Sequence, residues 1–225
     1  MTIPVITIDG PSGSGKGTVA RSVANVLGWH LLDSGALYRL TALAAIQRDI
    51  AFEEADLAAV ARSLSVTFSN SEDGNELILL NNHDVTADIR TEVCGENASR
   101  AAVFPAVRAA LVERQRAFAE PPGLVADGRD MGTEIFPDAG LKVFLTASAE
   151  ARADRRHKQL KENNIDVNLA ALLKDIQQRD ERDASRAVAP LVPASDAVQL
   201  DSTSMDAAAV IAKVLEMKNQ RFGVG

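Results

Sequence analysis

The nine residues Gly10-Pro11-Ser12-Gly13-Ser14-Gly15-Lys16-Gly17-Thr18 constrain this chain more than any other stretch. They follow Ile3 to Ile8, an apolar, β-branched run that reads as a buried strand, and they open Thr18 to Leu27, whose apolar residues recur at helical spacing. Strand, glycine-rich turn and helix in this order make an anion cradle. The glycines let the backbone curl until several N–H groups face one point, and the helix amino terminus adds partial positive charge. The spacing places Lys16 to reach the β and γ phosphates of a nucleoside triphosphate, so all nine residues are candidate donor-binding residues. Gly17 stands where the general pattern has Ser or Thr. The hydroxyl arrives one residue later as Thr18, which would hold Mg2+ beside the phosphates, directly or through its water shell.

Around this loop the chain reads as one α/β domain of 225 residues. The runs Gly123 to Ala126, Leu141 to Leu145 and Ala197 to Leu200 are short and apolar, as strands buried on both faces are. Helical patterns over Pro105 to Ala119, Ala149 to Glu162, Leu169 to Arg182 and Asp206 to Asn219 alternate with them, which predicts a parallel sheet. Between about Leu64 and Arg90 the pattern changes. Ser65 to Phe68 and Glu76 to Leu80, with a turn at Asp73-Gly74, suggest a small antiparallel hairpin or meander in an inserted subdomain over residues 61–95.

With 46% hydrophobic and 24% charged residues the chain falls in the globular class, and its net charge of −7 argues against a broad nucleic-acid surface. A single cysteine, Cys94, excludes an internal disulfide and reads as a small buried hydrophobe. No apolar run approaches the roughly 20 residues that span a bilayer. A soluble cytoplasmic protein without membrane or nucleic-acid partners is expected. His30, His83 and His157 show no metal-ligand spacing and no Ser-His-Asp arrangement, and Trp29 and Phe144 read as core residues.

The acceptor must be read from polar residues elsewhere, and four clusters stand out. They are Asp33-Ser34-Gly35-Ala36-Leu37-Tyr38-Arg39, Arg108 within its helix, Gly128-Arg129-Asp130-Met131-Gly132, and Arg179 to Arg186. Gly128 to Asp130 follows a buried strand, so it emerges at the carboxyl edge of the sheet, where α/β proteins bind ligands. Arg129 can meet a phosphate there, and Asp130 a base: a carboxylate accepts from the exocyclic amine of cytosine and repels the carbonyl that uracil presents. Each arginine alone also fits a solvated surface charge. Arg179, Asp183 and Arg186 would share one face of a continuous helix, where an i, i+4 salt bridge competes with contacts to a sugar.

These motifs, with Asp-Gly-Arg-Asp-Met-Gly-Thr, Arg-Asp-Glu-Arg-Asp-Ala-Ser-Arg, Ala187 to Leu191 and Leu200-Asp201-Ser202-Thr203, resemble the bacterial cytidylate kinase family in order and spacing along nearly the whole chain. Gly-Lys-Gly-Thr is the form found in nucleotide kinases. The resemblance implies a three-layer P-loop kinase fold with a central parallel sheet, an inserted β-containing subdomain that binds the monophosphate, and a short helical lid over residues 150–166. It implies ATP as donor with Mg2+, and CMP or dCMP as acceptor. Ser34, Arg108, Asp130 and Arg186 would surround the pyrimidine, Arg39 and Arg129 the acceptor phosphate, and Arg179, Asp183 and Ser99 the sugar. Lys16, Arg129 and Asp130 would carry catalysis, and a monomer is expected. The basic helical start Arg152, Arg155, Arg156 and Lys158 fits either a solvated face or that lid, and the resemblance favours the lid. Kinases of AMP, UMP or shikimate would share the loop and differ in the pocket. A guanine-nucleotide switch would need an Asn-Lys-x-Asp stretch, which the chain lacks.

Overall fold

A computed structural model describes residues 3–70, 76–162 and 166–223. The chain divides into two compact units, one made of Met1–Asp33 with Arg116–Gly225 and the other of Ser34–Gln115.

The first unit is built on a five-stranded parallel sheet, β1 (Val5–Asp9), β2 (His30–Asp33), β6 (Leu124–Gly128), β7 (Leu141–Thr146) and β8 (Val198–Asp201), in the order β2-β6-β1-β7-β8. Every residue of β1 and β6 is buried, which suits β-branched and small residues between two helix layers. The flanking helices are α1 (Lys16–Leu27), α6 (Ala149–Glu162), α7 (Leu169–Ala184) and α8 (Ala207–Phe222). Val19 and Val23 of α1 and Val210 and Val214 of α8 join Ile6, Ile8, Val143 and Leu145 in one core. Helix α1 stops at Gly28 (φ 63°), and Trp29 N–H returns to Ala24 O at 2.9 Å, a left-handed closure that favours glycine.

The sequence expectation for the last strand needs correction. Of β8 only Leu200 is buried, because the strand lies at the sheet edge and pairs with β7 alone. Trp29 packs partly buried at the core with its ring edge-on to Phe222, while Phe144 is buried.

The second unit contains α2 (Ser34–Gln47), α3 (Glu54–Arg62), an antiparallel sheet of β3 (Val66–Asn70), β4 (Glu76–Leu80) and β5 (His83–Asp84), then α4 (Glu92–Ala101) and α5 (Pro105–Arg116). Strands β3 and β4 pair with Val66 opposite Leu80 and Phe68 opposite Ile78. The turn expected at Asp73-Gly74 lies outside the described residues. Helix α2 buries Ala36, Leu37, Tyr38 and Leu40, so its core face follows directly from its apolar composition. Cys94 is buried, with Sγ 3.5 Å from Arg39 O, and burial raises its thiol pKa, as suits an inert hydrophobe.

Because all five strands of the first unit run parallel, their carboxyl ends share one edge. Asp9 there registers with Gly128, Ile8 with Asp127, and Thr146 with Asp201. Strand β1 is central, so the segments after β1 and β6 leave the sheet side by side, the usual ligand position in open α/β sheets.

Candidate active site

The turn from β1 into α1 has no room for another residue type at its start. A Cβ on Gly10 would sit 2.0 Å from the carbonyl oxygen of Leu145 in the adjacent strand. Gly15 caps α1 with φ 89°, a conformation that L side chains rarely adopt. Gly17, the departure from the general pattern, also has a steric cause, since a Cβ there would lie 3.1 Å from Asp127 Oδ2. A Ser or Thr at position 17 would crowd that carboxylate, and the hydroxyl is supplied by exposed Thr18 instead.

Lys16 is buried and donates from Nζ to Pro11 O at 3.1 Å. Burial pushes its pKa down to about 7, reinforced by the positive charges of Arg129 and Arg179 and opposed by Asp127 and Asp33. A bound polyphosphate would supply the negative charge that holds this ammonium protonated.

Across the sheet edge, Asp183 of α7 accepts from Arg129 Nε at 2.8 Å and pairs through its other oxygen with Arg186. Helix α7 ends at Ala184, so Arg186 stands beyond the helix and reaches back to Asp183. Arg129 and Arg186 both pair with Asp183, and the charge of Arg179 on the same helix also acts on it. Burial would raise the Asp183 pKa, but the three guanidiniums together hold it down at about 2. Burial likewise opposes the charge on Arg129, and Asp183 outweighs it, so the Arg129 pKa is raised. Asp130 is buried immediately after β6, at the head of a short π turn, Met131–Ile135.

A group whose folded pKa is depressed contributes stability above its unfolded pKa, near 4, and loses it as pH falls to about 2. Asp183 should contribute about 2 kcal/mol in this way. Urea unfolding of wild type and Asp183→Asn between pH 7 and pH 2 should show a stability difference that persists to about pH 4 and shrinks below it. A difference independent of pH would contradict the charge cluster.

Ser34, Arg39, Ser99 and Arg108 belong to the second unit. Ser34 begins α2, and it is buried, as are Ser99 of α4 and Arg108 of α5. Arg39 donates from Nη1 to Ile89 O at 2.6 Å and to Thr91 O at 3.3 Å, with its guanidinium against Gly95. Arg108 donates to Ala102 O at 3.3 Å, and its guanidinium carbon is 5.8 Å from the Tyr38 ring centroid.

Of the basic residues at the start of α6, Arg152 is buried and Arg155 half-buried, and both bond to main-chain carbonyls. Arg152 reaches Ser12 O and Ala147 O, and Arg155 reaches Ser14 O at 3.5 Å and Met205 O at 3.3 Å. Arg156 bonds to Gln159, and Lys158 is exposed. Among the described residues no group of three His, Cys, Asp or Glu could hold a metal; His30 Nε2 is 3.0 Å from Pro121 O.

Sequence reasoning missed Asp9. Its carboxylate accepts from Met131 N–H and Gly132 N–H, each at 2.8 Å, and so ties β1 to the segment that carries Arg129 and Asp130. Burial drives its pKa up to about 7 against those two hydrogen bonds. The readable signal was a carboxylate ending an apolar strand, and Asp127 carries the same signal at the end of β6.

A central parallel sheet with a glycine-rich phosphate loop after its middle strand and a buried arginine cluster at the same edge defines a P-loop kinase, an ATP-dependent phosphotransferase. The family model described as cytidylate kinase matches residues 6–220. A cytidylate kinase of Stutzerimonas stutzeri is 59% identical over 95% of this chain and 94% of its own, and one of Colwellia psychrerythraea 56% identical over 97% of both. A solved structure of an uncharacterised protein from Eubacterium ventriosum shares the fold, with a TM-score of 0.52 at 12% identity over 97% of this chain and 99% of that one. The chain belongs to the cytidylate kinase family.

Proposed function

We propose that this protein transfers the γ-phosphoryl group of ATP to CMP or dCMP, giving ADP and CDP or dCDP for pyrimidine nucleotide metabolism. The observation that carries this reading is Lys16, at the phosphate loop, in the electrostatic field of Arg129 and Arg179, with Arg129 itself held by Asp183, which also pairs with Arg186. Family membership and the Asp130 position supply the choice of base.

The mechanism needs no covalent intermediate. Phosphoryl transfer gains rate from alignment and from charge spread over fixed cations, and Lys16 and Arg129 are held here without solvent reorganisation. Main-chain N–H groups of the Gly10 to Thr18 loop, of which Pro11 alone has none, would bind the donor phosphates. Arg129 would hold the acceptor phosphate, with Asp183 fixing its guanidinium plane. Arg179 and Asp183 would meet the sugar, and Arg186 and Asp130 the base. Ser34, Arg39, Ser99 and Arg108 are proposed for the acceptor on resemblance alone, as are the subdomain over residues 61–95 and the lid over 150–166.

The donor set beside the loop fits Mg2+: an exposed Thr18 hydroxyl on the first turn of α1 and the Asp127 carboxylate packed against Gly17, all oxygen. Thr18 would hold the ion, directly or through water, and its charge would offset that of the phosphates. No described helix is long and apolar enough to cross a membrane. A cytoplasmic monomer acting on small molecules fits this reading.

Incubation with ATP, Mg2+ and each monophosphate in turn tests the proposal. ADP should form rapidly with CMP and dCMP and much more slowly with UMP or AMP; turnover with AMP and none with CMP would overturn it.

A further inference from the structure

We infer that Arg152, with Asp180 as its partner, is a positioning residue that sets the shape of the phosphate loop from the helix carrying Arg179 and Asp183. Arg152 stands at the start of α6, buried to 4% exposure. Its guanidinium makes four separate contacts. Nε donates to Ala147 O and Nη1 to Ser12 O, each at 2.9 Å, while Nη1 at 3.0 Å and Nη2 complete a two-pronged pair with Asp180. A second contact joins the same residue to the loop, because a Cβ on Gly13 would lie 3.3 Å from Arg152 Cβ.

In a planar trans peptide the C=O and the following N–H point in opposite directions. The bond to Ser12 O therefore aims Gly13 N–H away from Arg152, and Arg155, at 3.5 Å from Ser14 O, acts in the same sense on Gly15 N–H. These are N–H groups that an anion-binding loop must turn toward its ligand. Asp180 holds the fork in place. It sits on α7 beside Arg179 and three residues before Asp183, so one bond chain, Asp180 to Arg152 to Ser12, runs from α7 to the donor loop. A guanidinium spent on two carbonyls and a carboxylate is a strut, so Arg152 is assigned to loop geometry and not to contact with the transferred phosphate. A lysine could not replace it, since an ammonium lacks the planar fork that serves three acceptors at once.

The assignment rests on the kinase class, and the acceptor role of α7 rests on the proposed function; ATP binding measured without acceptor keeps the two apart. Dissociation constants for a non-hydrolysable ATP analogue with Mg2+, by calorimetry, are compared for wild type, Asp180→Asn, Arg152→Lys and the double variant, alongside melting temperature. Asp180→Asn should weaken analogue binding about tenfold, the scale of a lost charge-assisted pair, although Asp180 is not in the loop. Arg152→Lys should do the same, and the double variant should be little worse than either. In turnover, KM for ATP should rise more than KM for CMP. Analogue binding unchanged in a folded Asp180→Asn, additive losses in the double variant, or equal rises in both KM values would each overturn the assignment. Should Arg152→Lys fail to fold, Asp180→Asn, at a position 28% exposed, decides alone.

Discussion

Lys16→Ala should lose on the order of 100-fold or more in turnover while folding normally, since it deletes a cation aimed at charge that develops in transfer. The side chain is buried beside the loop, with its pKa near 7 through burial and the neighbouring arginines. Such a site tolerates loss of the charge structurally, because the folded state already strains against it. The variant removes one bond, to Pro11 O, which water can replace. Circular dichroism would check the fold and a coupled ADP assay the rate; near wild-type turnover in a folded Lys16→Ala would refute the phosphate-loop assignment.

Asp130→Ala should narrow discrimination between CMP and UMP by roughly 10- to 100-fold, the worth of a buried hydrogen bond to a charged partner. Asp130 is 3% exposed and lies two residues after β6, the neighbour of the central strand β1. Its carboxylate would accept from the cytosine amine, a group that uracil lacks. If Asp130 instead only orients Arg129 or Arg186, kcat/KM should fall by similar factors for both substrates. The ratio of the two values in wild type and variant separates these cases, and an unchanged ratio removes Asp130 from base recognition.

The donor loop was legible because its requirements are local: glycine where Leu145 O approaches, glycine at φ 89°, and a lysine at the helix start. Strands β1, β6 and β7 were legible because burial along nearly their whole length leaves short, mostly apolar runs. Strand β2, only four residues long and partly exposed, left no such run, and β8 looked buried in sequence on the strength of Val198 and Leu200, although its edge position leaves Val198 exposed. Helix α2 is apolar almost all round, so it shows little of the periodicity that marks a helix. Residue spacing along one helix put Arg179 near Asp183, and its charge does act there, but no local pattern recorded Arg129, which tertiary structure brings to Asp183 from 54 residues away. Asp9 and Asp180 act through backbone groups and partners distant in sequence, which no local pattern records.

Transfer of the terminal phosphoryl group from ATP to cytidine monophosphate is tested by tracing that group. With γ-labelled ATP, Mg2+ and CMP, the label should appear in CDP in step with ADP formation, with little released as inorganic phosphate. Label recovered only as inorganic phosphate, or unmoved from ATP while CMP is present in excess, would contradict it.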